Sequence, residues 1–170
     1  MKIRHSTEKD ISQMMRLIQQ AQSYFKRNGI DQWQDGYPNE QQLANDILKR
    51  HSYVLFDEKV IGTMYFAIED DLNYAMINGQ WKTKHLPYAV IHRIVVDEDM
   101  KGHNLAKEML LYAQQQCQKQ NIQSIRIDTH QDNLSMQTFL NKNGFEYCGQ
   151  ISLENGAPRI AFEKLLNKNK

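Results

Sequence analysis

The chain has 170 residues, of which 41% are hydrophobic and 24% charged, with a net charge of +1. Length and composition describe one globular domain, residues 1–166, with a tail at 167–170 expected to fray. The near-neutral balance argues against a broad basic face for nucleic acid. No apolar run approaches the ~20 residues of a membrane span, and the start, MKIRHSTEKD, turns polar too early for a signal peptide. Cys117 and Cys148 form no motif spacing. Reduced thiols, a cytoplasmic location and no metal are therefore expected.

Residues 2–5 read as a short strand. Thr7 and Asp10 have the spacing of a capping box with a shortened acid, and Ile11, Met14, Met15, Ile18, Ala21 and Phe25 then recur at helical spacing. Asn28-Gly29 stops that helix, with Lys26 and Arg27 at its negative end. Residues 30–38 make a polar, aromatic loop. Asn39 is placed to cap a second helix reaching about Arg50, with Leu43, Ile47 and Leu48 on its apolar side. Residues 52–56 and 60–68 read as a hairpin around Asp57-Glu58-Lys59. Residues 70–84 form a polar, poorly patterned connection in which Trp81 signals nothing specific.

A β-branched run at 88–96 ends in an acidic turn, Asp97 to Asp99. A basic, glycine-containing loop follows, Lys101-Gly102-His103-Asn104, and an amphipathic helix starts at once with Leu105, Met109, Leu110, Tyr112 and Ala113 on its buried side. Strand, loop and helix N-terminus together suit a pyrophosphate, because the first N–H groups of a helix have no partner within it and its dipole is positive there. Residues 122–128 alternate as a strand. Asn133 opens a helix with Met136, Phe139 and Leu140, and Asn143-Gly144 ends it. Residues 145–153 and 159–165 form a last antiparallel pair around the turn dipeptide Asn155-Gly156. The order β-α-α-β-β-β-α-β-α-β-β is mixed α/β of the α+β type, with a largely antiparallel sheet.

Two segments in this order resemble the GNAT N-acetyltransferases. Lys101-Gly102-His103-Asn104-Leu105-Ala106 falls on the family's Gln/Arg-x-x-Gly-x-Gly/Ala frame, with Asn104 at the middle glycine. Asn is the residue that best tolerates the left-handed backbone that glycine otherwise supplies. Asn133 and Gly144-Phe145 fall in register with Asn-x-x-Ala-x-x-Leu-Tyr-x-x-x-Gly-Phe, with Leu140 where the family carries Tyr. The resemblance covers essentially the whole chain. It implies a central sheet in which the strands carrying Ile94 and Ile127 splay apart and admit the pantetheine arm of acetyl-CoA. It also implies cofactor contacts from Ile94, Val95 and Val96, from Lys101, Gly102, His103, Asn104, Leu105, Ala106 and Lys107, and from Asn133.

Acetyl transfer to an amine needs a base for the ammonium proton, a donor for the thioester oxygen and an acid for the departing thiolate. His92, in an apolar strand, is the candidate base, because imidazole is the side chain that accepts a proton near neutral pH. The alternative is a core histidine bonded to a carbonyl. By strand alternation Arg93 points to the opposite face, where a structural ion pair is the favoured role. Leu140 has no proton to give, which leaves water, Tyr147 or Tyr112. His130 reads as a loop residue and Arg159 as a surface one. Trp33 and Tyr37 are candidates to wall an acceptor pocket. Trp33 could equally pack beneath its loop, and Asp31 and Asp35 read as solvated.

The leading expectation is an acetyl-CoA-dependent N-acetyltransferase acting by direct attack in a ternary complex, since no cysteine sits in the site by register. A non-catalytic acyl-CoA-binding regulatory module is the alternative, motivated by Asn104 and Leu140. A nucleotide-binding protein of another type lacks its glycine motifs. The acceptor is a small-molecule or peptide amine: polyamine, aminoglycoside, amino acid, peptide N-terminus and protein lysine all remain open. Neither nucleic acid nor membrane is an expected partner, and a homodimer is a family-level expectation.

Overall fold

A computed structural model describes residues 1–166, so the expected fraying of 167–170 lies outside the described residues. In chain order the elements are β1 (Lys2–His5), α1 (Ile11–Arg27), α2 (Glu40–Leu48), β2 (Ser52–Asp57), β3 (Lys59–Ile68), β4 (Asn78–Gly79), β5 (Ala89–Val96), α3 (Leu105–Lys119), β6 (Ser124–Thr129), α4 (Leu134–Lys142), β7 (Glu146–Ser152) and β8 (Pro158–Leu165). The strands form a mixed sheet, largely antiparallel, in which β5 and β6 run parallel. Two compact units emerge. One comprises Met1–Phe66 with His92–Ala113, and the other Ala67–Ile91 with the described residues from Gln114.

In the first unit β1 pairs antiparallel with β2, and β2 with β3 through a tight turn at Glu58, whose φ is +60°. The stripe Met14, Leu17, Ile18 of α1 is fully buried and packs with Leu43, Val54, Val60 and Val95, and Ile11, Met15, Ala21, Trp33 and Phe56 close the cluster. Each such aliphatic side chain contributes about 1.5–3 kcal/mol by leaving water. The helix start expected at Thr7 and Asp10 forms as a reciprocal cap around a 3₁₀ turn, Glu8–Asp10. Asp10 accepts from the Thr7 N–H at 2.8 Å and from both Arg4 amino groups at 2.8 and 2.9 Å. Asn39 caps α2 as expected, its side chain accepting from the Gln42 N–H at 2.9 Å.

The second helix departs from expectation on one face. It ends at Leu48, two residues short of Arg50, which turns left-handed at φ +59°. Leu48 is 84% exposed, not apolar-side. It lies one residue, about 100°, beyond Ile47 around the helix, whereas Asp46 sits three residues from Leu43 and takes the inward position. Further along, Gly62 allows the close approach of β3 and α3. A Cβ there would meet Met109 Sδ at 2.9 Å and Leu55 Cβ at 3.2 Å.

In the second unit β6 pairs with β8 along six residues, β8 with β7, and β7 with the two-residue β4. The parallel β5–β6 ladder joins Ala89↔Ile125 and Val90↔Arg126. The connection at 70–84 is more ordered than its sequence suggests. It holds a 3₁₀ turn, Leu72–Tyr74, and a buried Trp81 whose indole donates to the Tyr74 carbonyl at 3.0 Å. The Arg126 guanidinium lies 4.2 Å from the Trp81 ring and 3.9 Å from that of Tyr88. Glu163, with no exposed surface, accepts from the hydroxyls of Ser124 and Thr83, from the Lys82 N–H and from Arg126. Burial opposes ionisation of this carboxyl, but these donors outweigh it and hold the group below the ordinary range. Arg159 corrects the expectation of a surface role. It is buried, and its side chain bonds the Pro158 carbonyl at 2.8 Å. His130 is the expected loop residue, its Nδ1 accepting from the Asp132 N–H at 3.1 Å.

Candidate functional site

The chain leaves β5 through an anchored acid. The Asp97 N–H donates to the Ile61 carbonyl at 2.9 Å, and its fully buried carboxylate accepts from Arg16 at 2.9 Å, Gln20 at 3.2 Å and the Asp99 N–H at 3.3 Å, with Lys59 at 3.6 Å. Burial alone would raise its pKa; Arg16, Gln20 and the Asp99 N–H more than offset this and lower it. The loop is thereby fastened to α1 before it turns. Gly102 and Asn104 then adopt φ +87° and +59°. No atom would lie within 4 Å of a Cβ at Gly102, so the requirement there is for backbone freedom, not space.

Lys101, Gly102, His103 and Asn104 are exposed, and Leu105 is buried as the first residue of α3. The His103 N–H donates to the Met100 carbonyl at 3.4 Å, and the Lys101 ammonium rests 4.7 Å from the Tyr24 ring centre. Lys107 is exposed, while Met109 and Leu110 hold the helix to the core. The result is a positive helix end with two left-handed residues in the loop before it and three exposed basic residues, Lys101, His103 and Lys107, in the loop and first turn. Those features fit a pyrophosphate.

His92 is half-buried, its ring 5.6 Å from that of Tyr65. Arg93, the next residue, is not on the opposite face as alternation predicts. Its guanidinium also stands over Tyr65, at 4.8 Å. The reason is local: Arg93 has φ +51°, which breaks the pleat of β5 in mid-strand. The expected ion pair does form, to Asp46 at 2.5 Å, with the two side chains 9% and 4% exposed. Arg93 also donates to the Tyr37 hydroxyl at 2.6 Å. Burial works against its charge, yet Tyr37 and Asp46 together raise its pKa. Tyr65 bonds His51 Nδ1 at 3.0 Å in turn.

Of the two residues suggested for an acceptor wall, Tyr37 joins this cluster and Trp33 does not. Trp33 packs against the core, edge-on to Phe25 at 5.6 Å. Asp31 and Asp35 are exposed. Val95 sends its side chain into the core, and Ile94 and Val96 flank it half-buried. Asn133 belongs to the second unit, where it caps α4 by accepting from the Met136 N–H at 3.2 Å. Leu140, at the family's tyrosine position, is fully buried there. Sequence reading missed Asp46, Tyr65 and Tyr24. Only Asp46 carried a signal, an acid on the buried stripe of its helix. Among the described residues no group of three His, Cys, Asp or Glu could hold a metal ion, and no helix is long and apolar enough to cross a membrane.

The model of the acetyltransferase (GNAT) family matches residues 14–145, and the chain belongs to that family. Acetyl transfer is therefore its reaction class. A solved GNAT-family acetyltransferase from Streptococcus agalactiae is 32% identical, with a TM-score of 0.87 over 98% of this chain and 96% of that one. One from Listeria monocytogenes, 19% identical, has a TM-score of 0.73 over 97% and 94%. The PaiA N-acetyltransferase of Thermoplasma acidophilum, solved with coenzyme A, is 18% identical with a TM-score of 0.73 over 96% and 98%. The last two likenesses establish the fold. No curated protein sequence matches the chain.

Proposed function

We propose that the protein is an N-acetyltransferase that moves the acetyl group of acetyl-CoA to a primary amine by direct attack in a ternary complex. The observation that carries this reading is the exposed loop of Gly102 and Asn104, left-handed and basic, opening α3 directly after the strand that bears His92. Bound acetyl-CoA supplies an acyl group already activated as a thioester. The backbone of Lys101, Gly102, His103 and Asn104 and the first N–H groups of α3, at Leu105, Ala106 and Lys107, hold the pyrophosphate. The peptide groups of Ile94, Val95 and Val96 pair with the pantetheine arm and donate to the thioester oxygen as charge develops on it.

His92 takes the ammonium proton, because an alkylamine is mostly charged at neutral pH and unreactive in that form. Tyr37, exposed and bonded to Arg93, the residue after His92, meets the acceptor, with Trp33 beneath the loop supporting it. Leu140 favours a second reading, a non-catalytic acyl-CoA-binding module, because a buried aliphatic side chain cannot protonate a leaving thiolate.

A thiol-release assay with spermidine, kanamycin, lysine and a tetrapeptide with a free N-terminus separates the two. Amine-dependent thiol release with an acetylated amine product is expected, and His92→Ala should lower kcat about 10²- to 10⁴-fold. Coenzyme A binding without turnover of any amine would favour the module. Acetylated protein trapped without amine would exclude direct attack.

A further inference from the structure

We propose that Arg93 is a positioning residue for acceptor binding: it latches Tyr37, and with it the loop at 30–38, to β5 beside His92. The proposal rests on the reading of that loop as the acceptor wall. Three observations support it. First, a non-glycine residue at φ +51° in mid-strand is strained, and such strain persists only where the surroundings impose it. Here it turns Arg93 onto the face of Tyr65, the same ring that His92 meets.

Second, the guanidinium uses its fork to reach two separate segments. One terminal nitrogen pairs with Asp46 of α2, and the other donates to the Tyr37 hydroxyl in the loop. A planar fork puts two separate nitrogens on two such partners at fixed geometry, whereas an ammonium has one nitrogen on a flexible stem. Third, Arg93 Nε is buried and has no hydrogen-bond partner among the described residues. The side chain is thus placed by its two terminal contacts and not by full satisfaction of its own donors, a costly arrangement if stability were its sole role. An apolar pair at 46 and 93 would serve packing alone at least as well.

The latch is tested with Tyr37→Phe and Arg93→Lys. Tyr37→Phe leaves the buried ion pair in place and removes only the latch oxygen. Arg93→Lys keeps a charge opposite Asp46 but has one nitrogen on a flexible stem for both partners. In each, KM for the amine of the panel that turns over best should rise about tenfold, the loss of one charge-assisted hydrogen bond. KM for acetyl-CoA should stay near wild type, and amide exchange at 30–38 should quicken. The double variant Arg93→Met/Asp46→Met, which removes both buried charges, should recover thermal stability without recovering the amine KM.

Unchanged amine KM and unchanged exchange at 30–38 in both single variants would overturn the proposal. So would a double variant in which amine KM returns together with stability, since that is how a merely structural role behaves. Wild-type protein that turns over no amine would overturn the acceptor reading itself, and exchange at 30–38 would then decide the latch.

Discussion

At Asn104 the backbone sits at φ +59°, where a Cβ crowds a carbonyl at a cost of about 1–2 kcal/mol; Gly avoids that cost, and Asn is the side chain that best tolerates it, through local hydrogen bonding. Asn104→Gly should therefore keep or tighten acetyl-CoA binding. Asn104→Glu should weaken it, by adding both strain and a negative charge beside the phosphates. Titration calorimetry with acetyl-CoA checks this, and equal affinity in all three proteins would mean that the loop does not hold the pyrophosphate. This position was legible because a left-handed residue before a helix is a local requirement, met by local chemistry. Arg93, next to the candidate base, was not legible. Strand alternation placed it on the wrong face, and nothing in the run Ile91-His92-Arg93-Ile94 marks the positive φ that turns it. Arg159 escaped as well: its charge suggested the surface, and it is buried where β8 pairs with β7.

Single elements were read best where a side chain caps its own helix. Thr7 with Asp10, Asn39 and Asn133 all bond within three residues of themselves, so their signals survive without tertiary context. Asp97 works differently. It joins the end of β5 to α1 through Arg16 and Gln20, far away in the chain. Its depressed pKa makes a pH prediction with a definite sign. A carboxyl lowered on folding stabilises fully above its unfolded value, about pH 4, and loses that contribution as pH falls through the native value. Asp97→Asn should cost about 1–3 kcal/mol at neutral pH, since Arg16 and Lys59 remain partly exposed to water. Melting curves should show the gap to wild type steady from pH 7 to about 5 and narrowing below about 4. A gap independent of pH would mean that the charge of Asp97 does not stabilise the loop entrance.

For the whole molecule the sharpest expectation is a ligand effect. Acetyl-CoA or coenzyme A at about 100 times Kd should stabilise the native state by about 2.7 kcal/mol, roughly 5–10 °C in Tm for a chain of this size. ATP at the same concentration should not match it, and no shift with either coenzyme A species would remove the basis for the enzyme reading. The sequence by itself determined the order of strands and helices apart from the two-residue β4, the caps, the hairpin turns and the loop before α3. Each follows from periodicity or from bonds between near neighbours. Only the tertiary structure decided that Asp46 lies inward to meet Arg93, that Tyr37 bonds Arg93 while Trp33 turns into the core, that Arg93 and His92 share the Tyr65 ring, and that the unpatterned connection at 70–84 is fastened to Glu163 and Arg126. Those arrangements depend on charges and rings brought together from segments dozens of residues apart, and no local spacing encodes such a meeting.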